Sequence, residues 1–206
     1  MALGLLSHQV AKGHLAGFDQ AVAGWLTVLR SPVLDGPVRM VSFFGSSLWT
    51  LLALGGLSLL LWKRRGAKGV TIMFGTLAIS LALEVILRYS VRSWRPDAGG
   101  AAEGMDWFTR FRMAGYPSGH AFRAAFVFGW VIRELNGVKH LWARLGQLGG
   151  FAMIGAVGLT RVYLNRHWAS DILGSWLVVL VVFGIARCWE QTGAETHLII
   201  SRHEEA

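Results

Sequence analysis

The chain has 206 residues, which makes one domain the expectation. Hydrophobic residues make up 53% and charged residues only 16%, with a mean hydropathy of +0.45. That excludes an ordinary soluble domain and points to a membrane protein. Net charge is +8 and the pI about 10.6, yet the positive charges flank apolar runs instead of forming a basic face, which argues against nucleic acid and for anionic lipid headgroups. Cys188 is the single cysteine, so an internal disulfide and a Cys-rich metal site are excluded.

The first 16 residues carry Lys12 and only short apolar patches, without the apolar core of a signal peptide. Phe18, Val22, Trp25, Leu26 and Leu29 then fall at helical spacing. Only the nine residues Ala21 to Leu29 are both uncharged and continuously helix-competent, and a span needs about 20 residues. The segment therefore reads as an amphipathic interfacial helix ended by Arg30-Ser31-Pro32. The alternative is a tilted span reaching back to Leu15 and tolerating Asp19.

Val41 to Trp62 runs 22 residues without a charge and reads as a transmembrane helix. Lys63-Arg64-Arg65 and Lys68 follow, marking that end as cytoplasmic. A second helix covers about 69–92, apolar until Glu84, passing Arg88 and Arg92 and stopping at Arg95-Pro96. A loop over 97–116 follows, with Trp107, Phe108 and Phe111 placed either to dip into the outer leaflet or to pack the loop down. Further helices are expected over about 118–135, 145–164 and 168–189. Gly146 and Gly150 have the spacing of a close helix contact. Trp62, Trp142 and Trp189 at one set of ends and Trp94 and Trp168 at the other suit aromatic belts.

The expected fold is an all-α, polytopic transmembrane helix bundle with an N-terminal amphipathic interfacial helix. Its parts are an N-terminal segment 1–40, a core of five spans over 41–189, and a polar cytoplasmic tail 190–206 that is poorly ordered. This topology puts 88–120 and 161–171 on the same, outer side. Nine Lys/Arg fall on the inner side and eleven on the outer; the outer excess is all arginine, much of it in the clusters that follow.

Three clusters carry the chemistry: Arg88 with Arg95-Pro96; Pro117-Ser118-Gly119-His120; and Arg161 with His167 and Asp171. If the third is helical, His167 and Asp171 lie one turn apart on one face. A carboxylate there fixes the imidazole tautomer and leaves the other ring nitrogen free as acceptor or nucleophile. Taken alone, such a pair is equally a surface ion pair at a helix start. Arginine suits bidentate oxyanion contacts, Gly119 lets the backbone approach a ligand, and the helix start after Ser118 offers N–H groups to an anion. Together they form an inventory for holding and attacking a phosphoryl group. No HxxxH pair, cysteine set or carboxylate cluster supports a metal, so none is expected.

The combined pattern resembles the type 2 phosphatidic acid phosphatase superfamily, from about residue 40 to 187. The spacing inside each motif matches that family. Arg88 stands where the family has lysine, and Thr160 where it has serine before Arg161. The family's membrane members usually have six spans, and the first looks truncated or interfacial here. The resemblance implies a lipid phosphatase without metal or other cofactor. His167 would attack phosphorus to form a phosphohistidine, Asp171 would orient it, and His120 would protonate the leaving oxygen. Arg88, Arg95, Arg161, Ser118 and Gly119 would hold the phosphate. The residues agree on the nucleophile: His167 has a carboxylate to orient it and His120 has none.

Two neighbours extend the set. Glu84, four residues before Arg88, either pairs with it or lies at the interface. Arg123, one turn after His120, either reaches a second phosphate, as the Gly-His-x-x-Arg arrangement of polyisoprenoid diphosphate phosphatases suggests, or snorkels to the interface. The expected partners are the bilayer and a phospholipid or polyisoprenyl phosphate substrate: an undecaprenyl-diphosphate-like carrier, phosphatidic acid or phosphatidylglycerophosphate. The expected location is a bacterial-type cytoplasmic membrane with the site on its outer face. Lipid phosphotransfer, a haloperoxidase and a non-catalytic lipid binder or flippase are the competing readings, and the oligomeric state stays open.

Overall fold

The computed structural model describes residues 1–91, 93–98 and 106–204, without the side chains at 98, 107, 110 and 191–204. Arg92 and the Gly99-Gly100 opening of the expected loop lie outside the described residues, as does the Trp107 side chain. Among the described residues all regular structure is helical. The α-helices are α1 (Ala2–Ala11), α2 (Ala16–Val28), α3 (Pro32–Phe43), α4 (Ser47–Ser90), α5 (Trp107–Met113), α6 (Gly119–Leu135), α7 (Leu141–Tyr163) and α8 (Ala169–Glu204).

Three of them are long and apolar enough to cross a membrane: α4, α7 and the Ala169–Glu190 part of α8. The 44 residues of α4 are two helices joined at Gly66, whose φ of 61° and ψ of −158° break the helical path. Glycine adopts that conformation without the steric cost a side chain would bring. The break falls inside the basic run 63–68, where charge ends the apolar stretch. At about 1.5 Å per residue, the first arm from Ser47 and the second to Ser90 each approach bilayer thickness.

The expected helix over 41–62 begins later than its apolar composition suggests. The chain breaks between Phe43 and Ser47, and Ser46 Oγ caps α4 by accepting the Trp49 N–H at 3.2 Å. Gly45 sits at that break because a Cβ there would lie 2.7 Å from the His120 carbonyl oxygen and 2.9 Å from Val157. Charge-free composition cannot signal a break made by close packing. The segment before it is also helical: Pro32 opens α3 at a position where its missing N–H costs nothing, and Ser31 Oγ accepts the Leu34 N–H at 3.3 Å. The backbone of the expected tail from 190 continues α8 to Glu204.

The middle of the bundle is α6. It has 17 residues, and Ala121, Phe122, Ala124, Ala125, Phe126, Val127 and Trp130 are all buried against α4, α7 and α8. The small residues of α7 let it approach closely: a Cβ on Gly146 would meet Leu135 at 2.8 Å and one on Gly150 would meet Ile132 at 2.8 Å. At the end of the bundle near Gly66, the buried Glu134 pairs with Arg65 at 2.8 Å, and Glu190 pairs with Arg133. These pairs tie the bend of α4 to the ends of α6 and α8, so the basic residues there have structural partners as well as an orienting role. The three sequence clusters gather at the opposite end.

Candidate active site

Backbone contacts hold the three clusters together before any side chain acts. Trp94 and Ala114 form an isolated antiparallel bridge, with Arg95 N–H donating to the Met113 carbonyl at 3.3 Å and Gly115 N–H to the Ser93 carbonyl at 2.8 Å. This lays the Arg95 segment beside the approach to α6. Ser118 N–H donates to the Asp171 carbonyl at 3.2 Å, and Ser175 Oγ donates within reach of both the Ser118 and Asp171 carbonyls, at 2.9 and 2.8 Å. The start of α6 is thereby fixed to the first turn of α8. Trp168 Nε1–H closes the ring on the Trp94 carbonyl at 2.8 Å, so these two residues, expected as belt aromatics, also belong to the frame of the site.

His167 lies between two helices, in the gap left between the expected spans 145–164 and 168–189, so its closeness to Asp171 does not come from a shared helix face. α7 ends at Tyr163, and Asn165 takes a left-handed conformation with φ 55°. Asn165 N–H donates to the Val162 carbonyl and Arg166 N–H to the Arg161 carbonyl, both at 2.9 Å. That pair of bonds is the Schellman helix stop, in which asparagine is tolerated. The turn brings His167 back over the start of α8. Its Nδ1 still lies 3.3 Å from Asp171 Oδ2. The same oxygen accepts the Trp168 N–H at 2.9 Å, half of a capping box at the head of α8, while Oδ1 takes Ser93 Oγ–H at 3.4 Å. Since the carboxylate accepts, Nδ1 carries the proton and Nε2 keeps its lone pair. His167 is 2% exposed and Asp171 fully buried. Burial, with Arg95, Arg161 and Arg88 nearby, pushes the His167 imidazole well below its ordinary value of 6.5, so it is neutral at neutral pH.

Buried donors surround this imidazole. Nε of Arg88, Arg95 and Arg161 and Oγ of Ser118 are all buried without a protein hydrogen-bond partner. Buried polar atoms are nearly always satisfied; four of the nine unpaired ones among the described residues belong to the predicted phosphate-binding set. Arg88 also shows what arginine does in place of lysine. Its Nη2 reaches Glu84 Oε1 at 2.7 Å and the Pro117 carbonyl at 3.0 Å, its Nη1 reaches the Ala114 carbonyl at 3.3 Å, and its face lies 5.0 Å from the Phe111 ring centroid. A guanidinium makes these contacts and still keeps Nε–H and one Nη1 hydrogen. Of the expected loop aromatics, Phe111 therefore packs down on Arg88, whereas Phe108 is exposed.

His120 has an orienting residue that its sequence neighbourhood did not make obvious. Arg123 Nη2 lies 3.2 Å from His120 Nδ1, and Arg123 Nε donates to the Gly45 carbonyl at 2.9 Å. Arginine only donates, so Nδ1 accepts and the ring proton sits on Nε2. Arg123 thus turns toward His120 and the break before α4. Gly119 is small because a Cβ there would lie 3.2 Å from both Arg123 Nη1 and Glu84 Oε1. Glu84, Arg88, Gly119 and Arg123 form one packed group behind His120. Arg161 Nη1 donates to Ser42 Oγ at 2.9 Å. A cavity of about 440 Å³, lined by His120 and Arg161 among others, opens from the site. Among the described residues no three His, Cys, Asp or Glu side chains gather where they could hold a metal ion.

The residues that sequence reasoning missed come from the first 45 positions and from the small residues between motifs. Asp19 of α2 is buried and accepts both the N–H and the hydroxyl of Ser170, at 2.8 and 2.7 Å. Tyr163 hydroxyl accepts the Ser31 N–H at 3.0 Å and lies 3.1 Å from Asp35 Oδ1. Tyr116, fully buried beside the cis peptide to Pro117, pairs its hydroxyl with Ser7 of α1 at 2.9 Å. Its ring occupies the space where a Cβ on Gly174 would lie, 2.3 Å away. An acidic residue inside an otherwise apolar helix was the available signal for Asp19.

Known proteins resemble this chain in sequence and fold. A family model described as the PAP2 superfamily matches residues 69–194. Phosphatidylglycerophosphatase B of Bacillus subtilis is 23% identical over 181 residues, covering 84% of this chain and 83% of that protein. Lipid A 1-phosphatase of Porphyromonas gingivalis is 30% identical over 125 residues, which is 57% of this chain and 24% of that longer protein. Two crystal structures share the fold. A transmembrane PAP2-type phosphatidylglycerolphosphate phosphatase from Bacillus subtilis has a TM-score of 0.72 at 20% identity, covering 93% of this chain and 95% of that one. Aquifex aeolicus LpxE has a TM-score of 0.61 at 19% identity, covering 82% and 94%. With the family model spanning more than half of it, the chain belongs to the PAP2 superfamily, and it is an integral membrane phosphatase.

Proposed function

We propose that the protein removes phosphate from an amphiphile with a phosphate or diphosphate head, without a metal, through a phosphohistidine on His167. The four buried, unpartnered donors of Arg88, Arg95, Arg161 and Ser118 beside a neutral, carboxylate-oriented imidazole carry this reading. In this mechanism Nε2 of His167 supplies the lone pair for the nitrogen–phosphorus bond. The guanidinium groups and Ser118 hold the equatorial oxygens, on which charge spreads in the transition state. Asp171 stabilises the imidazole as it gains positive character. Water then attacks phosphorus and frees His167.

His120 faces the departing oxygen with its Nε2–H. To release a full proton it must hold two, and Arg123 must then withdraw its donor from Nδ1. Glu84, close to Arg123 across Gly119, is the anion positioned to receive that guanidinium. His120 and Arg123 therefore act as a coupled acid, with Arg123 as the positioning residue.

The proposed topology has five spans, two of them the arms of α4, with the site on the outer face of a cytoplasmic membrane. The paired basic residues near Gly66 at the far end support that orientation. The substrate class is a lipid phosphate: the relatives' names give phosphatidylglycerophosphate and lipid A 1-phosphate, and phosphatidic acid and a polyisoprenyl diphosphate are the other members of the class to test. The test is phosphate release from a panel of these lipids in the presence of EDTA, for wild type and His167→Ala. Turnover that persists in EDTA and vanishes in the variant is expected. Unimpaired turnover by His167→Ala, or a strict metal requirement, sinks the reading.

A further inference from the structure

Two arginines outside every motif discussed so far face the same cavity. Arg30 follows the end of α2 and Arg39 lies on α3, and both line the roughly 440 Å³ space together with His120, Arg161 and Arg166. That space is larger than a single phosphoryl group fills. Arg166 has a carboxylate partner, Asp97, at 2.6 Å, and Arg161 has the Ser42 hydroxyl. Arg30 and Arg39 have no acidic partner among the described residues. Three of the four arginines therefore bring uncompensated positive charge to the cavity wall, and no carboxylate lines it.

The segment carrying Arg30 and Arg39 is held in place over the site. Ser31 N–H donates to the Tyr163 hydroxyl at 3.0 Å, two residues from Arg161 along α7, and Asp35 lies against the same hydroxyl at 3.1 Å. Ser42, one turn beyond Arg39 on α3, is bonded to Arg161 itself. Arg30 and Arg39 are themselves exposed; it is the backbone carrying them that these bonds preorganise. Arg123, the other candidate for a second phosphate, turns Nη2 toward His120 and Nε toward Gly45 and does not line this cavity.

The geometry points to a second anion subsite formed by Arg30 and Arg39, which takes a second phosphate on the substrate headgroup, beyond the one that His167 attacks. It rests on the phosphatase reading above and adds a specificity device to it. The second phosphate is either joined to the first through a bridging oxygen, as in a diphosphate, or separated by a short polyol, as in a phosphodiester headgroup; each brings about one to two negative charges to the uncompensated arginines.

The experiment measures phosphate release by the full chain in neutral detergent micelles, which removes the pull of bulk anionic lipid. Wild type, Arg30→Ala, Arg39→Ala and the double variant are compared on short-chain phosphatidic acid, short-chain phosphatidylglycerophosphate and farnesyl diphosphate. The expected result is a rise in KM of about tenfold or more on at least one two-phosphate substrate, at least fivefold beyond the rise on phosphatidic acid, with Arg→Lys variants recovering part of it. Which substrate shows it separates the bridged from the polyol-spaced arrangement. An equal effect on all three overturns the subsite. A binding readout stands apart from turnover: inorganic pyrophosphate (bridged) or glycerol 1,3-bisphosphate (polyol-spaced) should raise the Tm of the wild type more than orthophosphate does, and the double variant should lose that difference. If neither shows such a preference, the subsite fails whatever the enzyme hydrolyses; if one does while no lipid releases phosphate, the phosphatase reading fails and the subsite stands.

Discussion

Asp19 of α2 accepts two hydrogen bonds from Ser170, one from the backbone N–H at 2.8 Å and one from the hydroxyl at 2.7 Å. Ser170 is the residue before Asp171, so a carboxylate far away in sequence secures the turn that carries the site's orienting acid. It also places negative charge at the N-terminus of α8, where the helix dipole favours it. Asp19→Ala removes both acceptors and leaves a buried Ser170 unsatisfied, so it should cost about 2 kcal/mol and reduce kcat. Asp19→Asn keeps one oxygen for the N–H and turns an amide donor toward the hydroxyl; its cost should stay below about 1 kcal/mol. Thermal unfolding in detergent, run beside phosphate release, separates the two. A harmless Asp19→Ala would show that α2 adds nothing to the site.

Arg123 gives a second prediction, because its Nη2 sits on His120 Nδ1 at 3.2 Å instead of facing the cavity. Arg123→Ala should lower kcat on the order of 10–100-fold and do so equally for monophosphate and diphosphate lipids, since it acts on the acid and not on the substrate. The basic limb of the pH–rate profile should move as well. A loss confined to KM on diphosphates would return Arg123 to substrate binding.

The periodicity of apolar runs and the placement of basic residues made most of the bundle legible in the sequence, including the bend near Gly66, where a charge run interrupts one continuous apolar composition. The three motif clusters were legible for the same local reason: Arg88 to Arg95, Pro117 to His120 and His167 to Asp171 each lie within a turn or two. What escaped is what depends on distance along the chain. Asp19 and Ser170 are 151 residues apart, and Ser31 and Tyr163 are 132 apart; such pairs leave no periodic trace. The helices α1 to α3 have 10, 13 and 12 residues, short enough that tertiary packing and not local propensity decides them. The Asn165 turn and the close approach of Gly45 to His120 are packing events of the same kind.

Glu84 and Arg88 form a mostly buried ion pair at 2.7 Å, with side chains 12% and 7% exposed. Arg88 is also bonded to the Ala114 and Pro117 carbonyls, so the pair fixes the approach to Ser118. Glu84→Gln keeps an acceptor but leaves the Arg88 and Arg123 charges without their shared counter-ion. It should cost about 2 kcal/mol of stability and about tenfold in kcat. Measuring both quantities decides the point: unchanged kinetics would mean that the pair serves the fold alone.

In the proposed mechanism, the protonation of His167 bears on the acid side of the pH–rate profile. Burial and the neighbouring arginines hold its imidazole well below 6.5, whereas in the unfolded chain it titrates at about that value. Between those two values the unfolded chain binds the extra proton and the folded one does not, so stability falls as the pH drops below about 6.5, and the part due to His167 is fully present only above it. For catalysis the consequence is opposite in appearance: Nε2 keeps its lone pair as the pH falls through 6.5, so acidification to that point should not silence the nucleophile. The substrate phosphate also titrates near pH 6, so the wild-type profile alone does not isolate the imidazole. Arg95→Gln does, because it removes one of the charges that depress His167 while leaving the lipid unchanged. It should lower kcat/KM overall and shift the acid limb of log kcat/KM toward higher pH. A limb that stays in place in Arg95→Gln would mean that the arginine binds phosphate without tuning the nucleophile.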